Sequence, residues 1–224
     1  MRHFLLGSAF LMFISSLPAD ATNDHTIPVA PPAVQAEKVV FKIEKAAFMQ
    51  VFTETLPPIG YVAFCQEHRD DCRYAGPFAD LVQLTPNKVA ELEQVNSLVN
   101  TTIKPATDLE VYGKVEYWTY PKDRGDCEDY VLLKRRMLIE RGWPESTVLI
   151  TVVRDENNEG HAVLTVRTDA GDLILDNKRT AITHWNETPY TFIKRQSEAN
   201  PLVWISLLPP SQTVQPTVSA SYSH

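Results

Sequence analysis

The stretch Gly125-Asp126-Cys127-Glu128-Asp129-Tyr130 places one thiol among three carboxylates. Residues 131–141 follow it, rich in helix-forming residues and with apolar side chains spaced for one buried face. Gly142 and Pro144 end that run. Cys127 is therefore predicted in the first turn of a helix, where backbone N–H groups lack helical partners and the dipole is positive. Both effects favour a thiolate, so we interpret Cys127 as a catalytic nucleophile.

The first 21 residues have the composition of a secretory signal peptide. Arg2 supplies a positive charge, an apolar run extends from Phe4 to Leu17, and Ala19-Asp20-Ala21 offers a small-residue cleavage site. The apolar run is too short to span a bilayer comfortably, and an uncleaved anchor is the alternative interpretation. We expect a periplasmic protein with no stable membrane insertion after signal cleavage.

Composition also divides the rest of the chain. Residues 22–38 contain three closely spaced prolines and predict a flexible linker, whereas residues 209–224 are mainly Pro, Ser, Thr, Gln and Val and predict a disordered tail. Residues 39–208 are left as one folded domain. The net charge of -7 includes no basic patch, so a nucleic-acid partner is not expected. We expect a monomer.

The three cysteines fall into a pair and a single residue. Cys65 and Cys72 enclose a short polar loop, and export makes a disulfide between them the expected state. The alternative is two free thiols that never meet. Cys127 is unpaired in both cases, and catalysis is one reason to keep a lone thiol in an oxidising compartment.

Helical signals precede strand signals along the chain. Thr85-Pro86 opens a helix with Thr85 as N-cap, and the Cys127 helix follows a segment, residues 108–122, that is predicted to be irregular. Pro57-Pro58-Ile59-Gly60 is predicted to be a turn. An antiparallel sheet is predicted from residues 147–153, 161–168, 172–176, 190–194 and 202–207. This order indicates an α+β fold.

A cysteine nucleophile needs a nearby base and a third group that orients the base. Only His161 among the six histidines opens a predicted strand after a glycine, although such a histidine is more often structural. Asp176 closes the returning strand. A turn centred on Thr168-Asp169 would place Asp176 opposite His161, whereas one centred on Ala170-Gly171 leaves it about four residues, roughly 13 Å, short. Periodicity leaves both registers open.

Several motifs occur in a fixed order: Trp118, the 125–130 stretch, Gly160-His161-Ala162-Val163-Leu164, Leu175-Asp176-Asn177 and Arg195-Gln196-Ser197. Together they resemble the bacterial transglutaminase-like cysteine proteinases, exported relatives of the papain and transglutaminase folds. The resemblance covers about residues 60–204. It implies a Cys127–His161–Asp176 triad, a nucleophile helix packed on a C-terminal antiparallel sheet, and a protein substrate such as a surface adhesin.

The carboxylates of Asp126, Glu128 and Asp129 have two interpretations. Asp126 as N-cap and Asp129 as third helical residue would form a capping-box arrangement. Yet three negative charges beside a thiol oppose its ionisation, and a hard divalent cation would remove that penalty. The resemblance implies a calcium site here, so we predict Ca²⁺ bound by these three residues and no organic cofactor.

Three functions are considered. The leading hypothesis is a periplasmic, calcium-dependent cysteine endopeptidase acting on exported or surface proteins. A transglutaminase would use the same triad but pass the acyl group to an amine, and a non-catalytic binding module would use the aromatic segment 112–120. Trp118 is interpreted either as a wall of the cleft or as a core residue, and Gln196 either as a polar group near the site or as the end of a surface strand.

Overall fold

Apart from three two-residue strands, the helices precede the strands in the computed structural model, which describes residues 48–211. The predicted α+β class is confirmed. The predicted signal peptide, the predicted linker and residues 212–224 of the predicted tail lie outside this part of the chain.

Four α-helices occur within residues 48–211: α1 (Ile59–Glu67), α2 (Pro86–Thr102), α3 (Asp108–Tyr112) and α4 (Cys127–Glu140). Three short 3-10 turns join them and the sheet: Arg69–Cys72, Glu145–Thr147 and Trp185–Glu187. None of the described helices is long and apolar enough to cross a bilayer.

Two of these helices begin where the sequence predicts. Thr85 caps α2, its side chain accepting the Lys88 backbone N–H at 3.3 Å, and Pro86 is the first helical residue. Helix α4 begins at Cys127. The predicted turn at residues 57–60 is wrong in part, because α1 starts at Ile59 directly after the prolines. Its apolar residues surround the helix without a clear period, which removes the usual helical signal.

Nine strands occur in the described residues: β1 (Glu54–Thr55), β2 (Lys104–Pro105), β3 (Arg124–Gly125), β4 (Val148–Arg154), β5 (Gly160–Thr168), β6 (Gly171–Leu175), β7 (Thr183–His184), β8 (Thr191–Gln196) and β9 (Trp204–Ser206). Seven form an antiparallel sheet in the order β1-β9-β8-β4-β5-β6-β7. Strands β2 and β3 form a separate parallel pair.

The sheet has a packed core on each face. Helix α4 packs against β4 and β5, and α2 packs against α4. The larger core joins these helices to alternate residues of β5, such as Leu164 and Val166. The intervening residue Val163 belongs to a smaller core on the other face, with Ile174 and Phe192. This alternation is the normal consequence of side chains pointing to opposite faces of a strand.

The predicted disulfide is present between Cys65 and Cys72, with Cα atoms 5.7 Å apart. It ties the last turn of α1 to the following 3-10 turn. Cys127 is left as a free cysteine among the described residues.

Lys134 is an unusual member of the α4 core. Its side chain is fully buried, and its ammonium Nζ has no hydrogen-bond partner within residues 48–211. The ring of Tyr130 lies close by, with its centroid 5.9 Å from Nζ. Burial lowers the pKa of Lys134 to about 7, and the negative charge of Asp176 opposes this shift.

Replacing Lys134 with methionine is expected to stabilise the protein at neutral pH. The pKa is about 7 when folded and about 10.4 when unfolded, so between these values the unfolded chain holds more protons and stability rises with pH. Lys134→Met removes this pH dependence and should raise the free energy of unfolding by a few kcal/mol at pH 7. The difference in stability between Lys134→Met and the wild type should shrink as pH approaches 10.

Urea unfolding at several pH values between 7 and 10 measures this difference. Lys122→Met is a matched control because Lys122 is exposed. An equal pH slope for wild type and Lys134→Met would contradict a lowered pKa of Lys134 in the folded protein.

Candidate active site

His161 and Asp176 form a buried pair. His161 Nε2 and Asp176 Oδ1 are 2.9 Å apart, and the two side chains are almost inaccessible. The same oxygen accepts the Lys178 backbone N–H at 3.0 Å, while Oδ2 accepts the Tyr190 hydroxyl at 2.5 Å. Burial raises the pKa of Asp176, but the hydrogen bonds from His161, Tyr190 and Lys178 outweigh it and lower the pKa overall. The carboxylate is therefore held ionised.

The register that brings this pair together is neither of the two predicted ones. Strands β5 and β6 are joined through Asp169-Ala170, midway between the predicted turn centres. Continuing the register by one residue places Asp176 opposite Val163, which is two residues from His161 on the same face of β5. Diagonal neighbours of this kind lie within reach of long side chains. No bulge in the β5–β6 pairing is needed.

Cys127 lies against β5 beside this pair. The backbone N–H of Ala162, the residue after His161, lies close enough to the Cys127 sulfur to lower the pKa of the thiol, and the thiol donates a hydrogen bond to Glu128 Oε2 at 3.0 Å. Burial raises the pKa of the Cys127 thiol, the charge of Glu128 raises it further, and the Ala162 N–H only partly compensates. The thiol is therefore neutral in this electrostatic setting.

An acidic cluster surrounds the start of α4. Ligand atoms of Asp108, Asp126 and Glu128 all lie within 4.8 Å of one another. Asp126 Oδ2 also accepts the Asp108 backbone N–H at 3.3 Å. Of the three predicted ligands, Asp126 and Glu128 lie in this cluster together with Asp108, whereas Asp129 lies outside it. Asp129 Oδ1 instead accepts the Thr119 backbone N–H at 3.0 Å.

The charges of this cluster are poorly compensated by the protein. Two of its oxygens, Asp108 Oδ1 and Asp126 Oδ1, are buried without a hydrogen-bond partner in the described residues, and so is Oδ2 of the neighbouring Asp129. Burial is the largest cause of raised pKa values here, and the neighbouring carboxylates add to it. The pKa is raised to about 6 for Asp108, to about 8 for Asp129 and to about 9 for Glu128. Such oxygens are costly unless paired. Hard oxygen ligands of this kind suit Ca²⁺, so the donor set fits the ion.

Helix capping does not account for the same side chains. Asp126 is the N-cap residue of α4, yet its side chain makes no capping hydrogen bond. The capping interpretation therefore lacks its main contact, although Glu128 and Asp129 in the first turn still complement the helix dipole.

Gly125 makes room for one of these carboxylates. An ideal Cβ on Gly125 would lie 2.8 Å from the Cβ of Asp129, well inside van der Waals contact. Gly125→Ala is therefore expected to displace Asp129 and to destabilise the protein by roughly 1–3 kcal/mol, as other overpacked sites do.

Thermal unfolding measures the effect of Gly125→Ala. Gly76→Ala is a matched control, because an added Cβ there meets its nearest atom at 3.8 Å. Equal melting temperatures for the two variants would contradict the close packing of Asp129 on Gly125.

Two other candidate residues have structural positions. Trp118 is buried, lies edge-on to Tyr61 at 5.8 Å between ring centroids, and donates its indole N–H to Glu116. It is a core residue and not an open wall. Gln196 is also fully buried, which corrects its predicted position at the surface. Its side chain accepts the Ile150 backbone N–H and donates to Tyr61.

A cysteine at a helix start, packed on the antiparallel strand that carries a histidine hydrogen-bonded to an aspartate, defines a papain/transglutaminase-like cysteine protease fold. Residues 51–212 match the family described as bacterial transglutaminase-like cysteine proteinase (BTLCP), and the chain belongs to this family. The predicted family and fold are confirmed. No curated protein matches the chain.

Solved structures of Legionella pneumophila LapG are similar to the chain. One LapG structure is 26% identical, covering 55% of this chain and 71% of LapG, with a TM-score of 0.46. A calcium-bound form is 24% identical, covering 62% and 77%, with a TM-score of 0.46. An EGTA-treated form is 27% identical, covering 50% and 64%, with a TM-score of 0.43. The family assignment itself rests on the match over residues 51–212.

Proposed function

We propose that the protein is a cysteine endopeptidase in which Cys127 is the nucleophile, His161 the general base and Asp176 the residue that orients the base. The observation that carries this proposal is the buried His161–Asp176 hydrogen bond at 2.9 Å. This pair lies next to Ala162, whose backbone N–H lowers the pKa of the Cys127 thiol. A nucleophile, a base and an orienting acid are the three groups that acyl transfer requires.

The hydrogen bond assigns the two imidazole nitrogens. An ionised carboxylate only accepts, so His161 donates its Nε2 proton to Asp176 and Nδ1 is the basic nitrogen. In the proposed reaction Nδ1 takes the Cys127 thiol proton as sulfur bonds to the scissile carbonyl carbon. The imidazolium then returns this proton to the leaving amine, and a water molecule hydrolyses the thioester.

The start of α4 supplies a donor for the developing oxyanion. Cys127 is the first residue of the helix, and its backbone N–H has no acceptor within α4. Such a donor would stabilise negative charge on the carbonyl oxygen more strongly in the tetrahedral intermediate than in the substrate.

We further propose that Asp108, Asp126 and Glu128 hold a calcium ion, with Asp129 beside them. When bound, the ion supplies positive charge that offsets the carboxylates next to the thiol and a rigid support for the start of α4. The unpartnered oxygens of Asp108, Asp126 and Asp129 support this proposal.

We propose that the enzyme acts in the periplasm on exported or surface proteins, an adhesin being one candidate by resemblance to the family. The signal-peptide composition of residues 1–21 and the Cys65–Cys72 disulfide support export. Detection of the full-length chain in the cytoplasmic fraction alone would contradict this location.

The proposed activity is tested by comparing the surface proteins of cells that produce the full chain with those of cells that lack it. Labelling of amino termini should reveal new termini only where the chain is present. A labelled primary amine added in parallel detects transfer instead of hydrolysis. Amine incorporation without new termini would identify a transglutaminase. The absence of both new termini and amine incorporation in every fraction would overturn the proposal.

A further inference from the structure

Tyr190 contacts both members of the His161–Asp176 pair. Its hydroxyl lies 2.5 Å from Asp176 Oδ2. Its ring meets the imidazole of His161 edge-on, with centroids 5.6 Å apart and an interplanar angle of 74°. Tyr190 directly precedes β8 and is buried in the smaller core of the sheet, beside Val163 and Phe192. The sheet therefore fixes the position of its ring.

Arg179 sets the direction of the hydroxyl hydrogen bond. Its Nε donates to the Tyr190 hydroxyl at 3.3 Å, and its guanidinium lies 5.6 Å from the ring centroid. A guanidinium has no acceptor, and an ionised carboxylate has no donor. The single hydroxyl proton of Tyr190 is thus directed at Asp176, while its oxygen accepts from Arg179.

These contacts leave the Asp176 carboxylate little freedom. Oδ1 is committed to His161 and the Lys178 N–H, and Oδ2 is committed to Tyr190. The backbone carbonyl of Asp176 accepts from Asn100 Nδ2 at 2.8 Å, which holds the main chain as well. Rotation of the carboxylate would break hydrogen bonds at both oxygens together. Loss of the Tyr190 hydroxyl would leave Asp176 Oδ2 without this hydrogen bond.

We propose that Tyr190 is a positioning residue that holds the Asp176 carboxylate and the His161 imidazole in one orientation, and that Arg179 directs its hydroxyl proton. This proposal rests on the proposed function of Cys127, because the orientation matters when His161 accepts the thiol proton. Small misplacements of a general base are costly, since proton transfer requires hydrogen-bond distance and alignment.

Tyr190→Phe tests the proposal because it keeps the ring and deletes only the hydroxyl. With a surface protein identified by terminus labelling as substrate, kcat should fall by about 10- to 100-fold, part of the roughly 10²–10⁴ that general acid–base catalysis contributes. KM should change less than about twofold, since Tyr190 does not hold substrate in this proposal. The rate at which iodoacetamide alkylates Cys127 should fall in parallel.

Tyr74→Phe is the matched control, since it deletes a hydroxyl hydrogen bond to the Ser197 carbonyl, 2.8 Å long, outside the site. Arg179→Met is the second variant, and because the Arg179 side chain is partly exposed the substitution is expected to leave the fold intact. Arg179→Met should lower kcat and the alkylation rate when introduced into the wild type. It should lower neither further when introduced into Tyr190→Phe, because Arg179 acts through the hydroxyl.

Three outcomes would overturn the proposal. The first is a fall in kcat for Tyr190→Phe no larger than that for Tyr74→Phe, and the second is a change in KM with no change in kcat. The third is an equal effect of Arg179→Met on the wild type and on Tyr190→Phe. A wild-type chain that cleaves no protein would instead overturn the proposed function. The alkylation rates would still decide the role of Tyr190, because they require no protein substrate.

Discussion

Replacing Cys127 with alanine is expected to reduce proteolysis to background while the chain keeps its fold. The loss in kcat/KM should be roughly 10⁴-fold or more, since removal of a nucleophile eliminates the covalent route. The fold should survive because Cys127 is only partly buried and the hydrogen bond that its thiol donates to Glu128 lies at the start of a helix held by many other contacts. Cleavage of a surface protein and thermal unfolding measure the two effects.

Two further variants separate chemistry from packing. Cys127→Ser keeps a small polar group at the helix start but has a far weaker nucleophile, so it should be nearly as inactive as Cys127→Ala. His161→Ala should retain the thiol yet slow its alkylation by iodoacetamide. Wild-type activity in Cys127→Ala would refute the central assignment, whatever the other variants show.

Local features of the sequence were enough to predict the start of α4. Its N-terminal boundary depends on residues that are adjacent in the chain, and Gly125 has a local role in accommodating Asp129. The strands around His161 were also predictable, because alternation and turn residues mark them. Their register was not, since a shift of the turn by one residue moves the partner of His161 by two.

Other features depend on contacts between distant parts of the chain. Asp108 joins the acidic cluster because β2 and β3 pair in parallel and bring residues after Pro105 alongside those after Gly125. A two-residue ladder has no recognisable pattern in sequence. Lys134 was likewise unpredictable, because a lysine in a helix is normally assigned to the solvent face.

Removal of calcium is expected to lower both the melting temperature and the activity of the protein. Binding to the folded state alone stabilises by about 2.7 kcal/mol when free calcium is 100 times Kd. For a domain of this size that corresponds to roughly 5–10 °C in melting temperature. EGTA should therefore lower the melting temperature by about this amount, and added calcium should restore it.

The fall in melting temperature caused by EGTA should depend on the carboxylates of the acidic cluster. Asp108→Asn and Asp126→Asn should lower the melting temperature in calcium and abolish its response to EGTA, because each removes a ligand charge. Asp123→Asn is the matched control, since Asp123 is close in sequence but exposed. Calorimetric titration with calcium measures binding directly and requires no substrate.

The capping interpretation makes the opposite forecast for these variants. If the carboxylates served only the helix, EGTA would change neither the melting temperature nor the activity, and loss of the cap residue Asp126 would cost roughly 0.5–2 kcal/mol. The missing capping hydrogen bond of Asp126 and the unpartnered oxygens of Asp108 and Asp129 favour the ion. An Asp108→Asn variant with an unchanged response to EGTA would remove Asp108 from the site, and no response in the wild type would remove the ion itself.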